Sequence, residues 1–294
     1  MKIYNLGSLN IDYVYSVPHF VRPGETLTSS NMEIFPGGKG LNQSIALARA
    51  GANVTHGGIV GNDGLFLKQL LSDSLVDVSR IKVLDKSSGH AIIQVEESGQ
   101  NSILLFAGTN HCITEEYIKD FLYDSQQGDI LLLQNEINGL NLIFEIAHKK
   151  GMQIAFNPSP FEGKLLELPL EYVDWWFLNE IEGSEFSKRI KPQEIVDELI
   201  GRYPKSHIIL TLGKDGCVYK DAQLQLAQPI VDTSVVDTTA AGDTFTGYFL
   251  AMISSGKTID FALKSATLAS SLTVSRMGAS SSIPYLSELK QEEV

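Results

Sequence analysis

The segment Asp237-Thr-Thr-Ala-Ala-Gly-Asp243-Thr-Phe245 places a carboxylate directly behind three small residues and at the head of an apolar run with helical spacing. Small residues at Ala240, Ala241 and Gly242 let the backbone come close to a ligand. A helix starting there offers an anion unpaired N–H groups and the positive end of its dipole. A carboxylate in the first turn, beside those donors, can accept the proton of an attacking hydroxyl. Taken alone, Asp243 reads at least as well as an acid that merely caps its helix.

A second glycine cluster, Pro36-Gly-Gly-Lys-Gly-Leu-Asn42, also opens a helical run. It is not a Walker A loop, because Gly40 follows Lys39 where Ser or Thr is needed. Nor is it a dinucleotide fingerprint, because position 43 is Gln. Further polar residues directly follow short apolar runs: Asn10 and Asp12 after 3–6, Asn135 and Glu136 after 130–133, Asn179 and Glu182 after 175–178. The stretch Thr211-Leu-Gly-Lys-Asp-Gly216 follows 208–210 in the same way. Each alone is a turn or a cap. In a parallel sheet they would converge on one carboxyl edge, where open α/β sheets bind ligands.

The elements needed to hold these residues can be read from periodicity. Strand-like runs at 3–6, 54–60, 130–133, 154–156, 175–178 and 208–212 interleave with helical runs at 40–50, 63–74, 140–150, 244–254 and 261–275. That alternation predicts an α/β fold with a mainly parallel sheet sandwiched by helices. Two regions, about 12–36 and 88–107, are strand-like and carry no helix. They read as a small β-sheet lid, or as ordinary edge hairpins. A single domain over 1–294 is expected, with a charged, frayed tail at 288–294.

With 294 residues and 43% hydrophobic content, a sizeable core is expected. The net charge of -12 argues against nucleic acid or an anionic membrane as partner, although a local site can still be positive. The two cysteines, Cys112 and Cys217, cannot make a disulfide framework and suit a reducing cytosol. The first residues read as a strand rather than a signal peptide, and no run of about 18 apolar residues exists, so a cytoplasmic chain without a membrane span is expected. His90, His111 and His148 show no metal-ligand spacing.

Together these segments resemble the ribokinase family of sugar kinases, also called the phosphofructokinase-B family. The likeness rests on Gly7-Ser-Leu-Asn-Ile-Asp12, Pro23-Gly-Glu25, Gly37-Gly-Lys-Gly-Leu-Asn42, Asn157-Pro158, Asn179-Glu-Ile-Glu182, Thr211-Leu-Gly213 and the Asp237–Phe245 segment, in that order over nearly the whole chain. The resemblance implies ATP as phosphoryl donor and Asp243 as catalytic base, with an anion hole at Ala240, Ala241 and Gly242. It implies sugar contacts from Asn10, Asp12, Gly38, Lys39, Asn42, Glu136 and Asp243, and nucleotide contacts from Asn179, Thr211, Gly213, Gly216, Gly242 and Thr267. Glu182 would act indirectly on magnesium. Asp237, the carbonyl of Thr239, Thr273, Arg276, Gly278 and Ser282 match a monovalent-cation site, usually potassium, with Met277, Ser280 and Ser281 as looser matches. A homodimer paired through the lid is implied as well.

The lid regions hold Arg22 beside Glu25, Glu33, Glu96 and Glu97, which suits a neutral acceptor. The Asn10, Asp12, Asn42 and Glu136 set points to D-ribose, giving D-ribose 5-phosphate. Fructose, a 2-keto-3-deoxy sugar acid, a sugar phosphate or a nucleoside remain open, the last because His90, Ile93 and Phe106 could form a base shelf instead of lid core. A non-catalytic sugar-binding regulator is the reading from another class.

Overall fold

The chain starts as a fully buried strand, β1 (Ile3–Leu6), in the computed structural model, which describes residues 1–289. It crosses at once into a small sheet through β2 (Asn10–Val17) and β3 (Asn31–Gly37). It returns through α1 (Lys39–Arg49), β4 (Val54–Gly61), α2 (Leu65–Asp73) and β5 (Ile81–Leu84). A second excursion builds β6 (Gly89–Glu96) and β7 (Asn101–Phe106). Strands and helices then alternate: α3 (Glu115–Phe121), β8 (Ile130–Gln134), α4 (Leu140–Lys149), β9 (Gln153–Asn157), β10 (Val173–Asn179), α5 (Glu180–Ser187), α6 (Pro192–Arg202) and β11 (His207–Thr211). The chain ends with β12 (Cys217–Lys220), β13 (Gln225–Gln228), α7 (Ala241–Ser254), α8 (Ile259–Val274) and α9 (Leu286–Leu289).

The described residues form a large sheet in the order β13-β12-β11-β10-β9-β8-β1-β4-β5 and a small one in the order β3-β2-β6-β7. The large sheet is parallel from β11 to β5, with β12 and β13 antiparallel at one edge. Its central strands are buried and mainly apolar because helices cover both faces, with Asn5, His56 and Gln134 as buried polar exceptions. In β8, Ile130 and Leu132 join the core under α1, α7 and α8, while Leu131 and Leu133 join the opposite core under α3, α4 and α6. This is the predicted α/β architecture.

The small sheet lies over the carboxyl edge of the large one, since β1 runs directly into β2 and β3 directly into α1. Asn10 pairs with Gly37 on one side and Gly89 on the other, so both excursions into the small sheet begin or end at one point. All residues of β7 are exposed, including Ile103, Leu104, Leu105 and Phe106.

Several elements depart from expectation. Strand β5, helices α3, α5 and α6 and the hairpin β12–β13 occupy stretches with no predicted element. Glu288, expected in a frayed tail, is instead fixed in α9, where it accepts from the Arg276 guanidinium and from the Tyr285 N–H, each at 2.6 Å. The rest of that tail, 290–294, lies outside the described residues. Among the described residues no helix is long and apolar enough to cross a membrane.

Candidate active site

Ala240 holds a left-handed backbone, φ 61°, and turns the chain into α7. The next residues, Ala241 and Gly242, sit in the first turn; the Ala241 N–H makes a long 3.3 Å bond to the Thr238 carbonyl, and the Gly242 N–H has no earlier turn to bond. A Cβ added at Gly242 would meet no protein atom within 4 Å, so the helix start faces open space. Asp243 follows, buried at 7% exposure. Both of its oxygens are held from α1: Asn42 Nδ2 donates to Oδ2 at 3.0 Å and Gln43 Nε2 to Oδ1 at 2.9 Å. Asn42 Oδ1 is left buried without a partner among the described residues.

The two helices reach each other because of small residues one turn further on. A Cβ at Gly247 would lie 2.4 Å from Ala46 Cβ, so only glycine permits this crossing. Gly247 lies four residues after Asp243 and Ala46 four after Asn42, so each pair shares a helix face.

The loop before α1 gathers the residues expected to contact the sugar. Gly38 has φ 96°, a conformation that favours glycine, and packs against the backbone of Ser8 and Asn10. Helix α1 has no local side-chain cap; Glu136 supplies one from β8's end, accepting from the Lys39 N–H at 3.0 Å and from the Ser8 hydroxyl. Burial pushes the Glu136 carboxyl above its usual range, against the opposing pull of Lys39 and Ser8. Asp12 is pushed up to about 7 by burial and then by the Glu136 charge. Asn10 accepts from Asn110 Nδ2 at 2.7 Å, which leaves its own NH2 for another acceptor. Burial alone would lower the Lys39 ammonium, but the Asp243, Glu136 and Glu182 carboxylates hold it above its ordinary value.

On the other side of Asp243 lies a cleft of about 580 Å³. Asn179, Thr211, Gly213, Gly216, Gly242 and Thr267 line it, together with Lys39, Glu182 and Asp243, and Val231, Val235, Phe245 and Val274 supply apolar walls. Thr267 Oγ1 is buried there with no partner among the described residues. That combination, apolar walls, an orphan hydroxyl and a helix start facing open space, fits a nucleotide with its phosphates at α7. Lys39, expected among the sugar contacts, faces this cleft, whereas Asn10, Asp12, Gly38, Asn42 and Glu136 lie outside its lining. Asn179 and Glu182 form a reciprocal capping box on α5, at 2.9 and 3.0 Å, so one oxygen of Glu182 is spent locally. The other can serve a magnesium ion that is held mainly by water and phosphate.

The expected cation residues divide. Asp237 accepts from Thr239 N at 2.9 Å, from Thr239 Oγ1 at 2.6 Å and from Gly278 N at 3.0 Å. Burial pulls its carboxyl up, but these donors outweigh it and keep it below the usual value. The side chains of the other three turn elsewhere: Thr273 to Thr244 and the Ala269 carbonyl, Arg276 to Glu288, Ser282 to the Ala279 carbonyl. The Thr273 carbonyl is also taken, by the Arg276 N–H at 3.1 Å, which leaves for an ion the hydroxyl oxygens of Thr273 and Ser282 and the carbonyls of Arg276 and Ser282. A carboxylate with carbonyl oxygens suits a hard cation, and no cluster of His, Cys, Asp and Glu with metal-holding geometry exists among the described residues.

Sequence reasoning missed Ser8, Gln43, Asn110 and Gln134. The signal available was polarity inside apolar runs, as at Gln43 between Leu41 and Ile45 and at Gln134 after Leu133.

Residues 2–286 match the model of the pfkB family carbohydrate kinases. The chain is 35% identical to the ribokinase of Haemophilus influenzae, over 96% of this chain and 95% of that one. Among solved structures it superposes on the ribokinase of Cryptococcus neoformans in complex with ADP, with TM-score 0.86, 32% identity and 99% of each chain covered. It also superposes on the Arabidopsis thaliana ribokinase complexed with ribose and ATP, with TM-score 0.87 and 25% identity, covering 99% of this chain and 97% of that one. With a buried acid at a helix start, a glycine-loop helix gripping it and a family match along the length of the fold, the chain belongs to the pfkB family of carbohydrate kinases.

Proposed function

We propose that the protein is an ATP-dependent ribokinase, transferring the γ-phosphoryl group to the 5-hydroxyl of D-ribose to give D-ribose 5-phosphate and ADP. The observation that carries this reading is the place of Asp243, held between the nucleotide cleft and the enclosed Asp12–Glu136 pair. Family membership and the relatives' names support the substrate.

Asn10, Asp12, Gly38, Asn42 and Glu136 bind the sugar. The carboxylates accept from its hydroxyls, and the buried Asn42 Oδ1, otherwise unpartnered, can accept from another. Asp243 takes the proton of the attacking hydroxyl as its oxygen bonds to phosphorus and the bond to the ADP oxygen breaks. The backbone N–H groups of 240–242 and the Lys39 ammonium stabilise the charge on the phosphoryl oxygens. Glu182 would help to hold magnesium brought with the nucleotide, which would supply charge neutralisation at the phosphates. Asp237 and the Thr239 carbonyl would hold a monovalent cation, potassium by preference, which would add positive charge. Holding both substrates in line supplies about 7–11 kcal/mol and a general base about 10²–10⁴-fold, so positioning outweighs proton transfer.

The exposed apolar residues of β7, with Ile34 and Phe35 on β3, suit pairing of two lids in a homodimer. Composition fits a cytoplasmic enzyme. An ATP-consumption screen across neutral pentoses, hexoses, nucleosides and sugar phosphates tests the assignment. Ribose should give the highest kcat/KM, and a sugar phosphate or nucleoside doing so would overturn it.

A further inference from the structure

We infer that Gln43 is a positioning residue for phosphoryl transfer: it aims the Asp243 carboxylate from behind, through a buried chain of neutral groups. The inference rests on the reading of Asp243 as base. Gln43 is fully buried, and a primary amide is costly to bury unless both ends are bonded. Both ends are. Its Oε1 accepts from Gln134 Nε2 at 2.6 Å, and its Nε2 donates to Asp243 Oδ1 at 2.9 Å.

The donor at Gln134 decides the orientation. Because an NH2 group faces Gln43 there, the oxygen end of the Gln43 amide must turn to it and the NH2 end to Asp243. Gln134 is aimed in turn by Asn5, whose Oδ1 accepts from the same Nε2 at 3.0 Å. Asn5 is fixed by donating to the Gly40 carbonyl and to Ser44 Oγ, each at 2.8 Å. Ser44 meets His56 Nδ1 at 2.8 Å, and burial pushes His56 down to about 3, which keeps it uncharged. The chain thus spans β8, β1, α1 and β4 without a second formal charge.

Asn42 and Gln43 differ in what else they must do. The Asn42 side chain belongs to the acceptor side and has to meet the sugar. Gln43 is fully buried with its Oε1 and Nε2 both bonded to protein, so it stays out of a substrate's reach and fixes the carboxylate plane whether or not sugar is bound. A hydrogen bond to a charged group is typically worth about 10–100-fold in a rate that depends on it.

The test uses the purified full chain with ribose and ATP, comparing Gln43→Met, Asp243→Asn and the double variant. Gln43→Met is expected to lower kcat by about 10–100-fold, with KM for both substrates and the calorimetric ribose affinity within about threefold. The double variant should be no slower than Asp243→Asn alone, because the two residues act as one unit. A merely structural role would lower the melting temperature and leave kcat per ribose-binding site unchanged. That outcome, or effects that multiply in the double variant, overturns the inference while leaving the base assignment intact. Near-parental turnover in Asp243→Asn instead removes the base reading and this inference with it. If Gln43→Met gives no cooperative melt, Gln134→Met, which frees the Gln43 amide but keeps the donor, should show the same kcat-only loss at about 3–10-fold. Unchanged kcat in that variant is equally fatal.

Discussion

Asp12 and Glu136 are two enclosed carboxyl groups whose proximity matters to both substrate and stability: burial and the Glu136 charge push Asp12 up to about 7. In the unfolded chain the same group has the ordinary carboxyl value of 3.8. The folded protein therefore holds this proton more tightly, and the stability contributed is fully present below about 3.8 and lost as pH rises through about 7. The melting temperature of the ligand-free protein should drift down by a few degrees across that window. Asp12→Asn should flatten the drift, which thermal melts at a series of pH values can check. Ribose needs the carboxylate as an acceptor, so its affinity should rise about tenfold between pH 6 and pH 8, following the ionised fraction. Calorimetric titration that finds no rise would remove Asp12 from the sugar contacts.

Asp243→Asn keeps a group of the same shape between Asn42 and Gln43. Turnover should fall by about 10²–10⁴-fold, with ribose affinity within a few-fold of the parent. Steady-state rates and calorimetry on the same sample separate the two quantities.

Asn110 touches neither cleft nor base, yet it donates to Asn10 Oδ1 and accepts from the Leu9 N–H at 3.0 Å. Asn110→Ala leaves Asn10 free to flip and orphans a buried backbone donor. KM for ribose should rise about tenfold, with KM for ATP unchanged. An equal rise for both substrates would point to general loosening of the lid junction.

The left-handed turn at Ala240 costs an L-residue about 1–2 kcal/mol. Ala240→Gly should relieve it and raise the melting temperature by a few degrees. Ala240→Val should lower it and reduce kcat, since a branched side chain tolerates φ near 61° poorly and crowds the anion hole. Differential scanning calorimetry of the pair gives the sign directly.

If a cation sits beside Asp237, rates in potassium should exceed those in a bulky organic cation at matched ionic strength, and Asp237→Ala should abolish the difference. Equal rates in the two salts would dismiss the site.

Much of this was visible in the residues themselves. The strands at 3–6, 130–134 and 207–211 declare themselves because each is built on a buried, mainly apolar run, with polar residues such as Asn5, Gln134 and Thr211 as the exceptions. Asp243 and the glycine loop stand out because close backbone approach demands small residues. What stayed hidden depends on tertiary contact. Helix α5 starts from a capping box and carries no clear apolar stripe, so periodicity gives it away poorly. The β12–β13 hairpin mixes polar and apolar residues at a sheet edge. Gln43, Gln134 and Asn110 act only through partners about 90–200 positions away along the chain, and no local pattern encodes such pairing. The same limit applies to Thr273, Arg276 and Ser282, whose side chains are committed to neighbours that spacing cannot show.

The contact between Gly247 and Ala46 has a mechanical consequence. At this crossing nothing larger than the Ala46 methyl lies between α1 and α7, so the helix that carries the acid packs against the backbone of the helix that grips it. A side chain added at Gly247 would push Asp243 away from Asn42 and Gln43, so a residue without a side chain sets the distance from the acid to both of its supports.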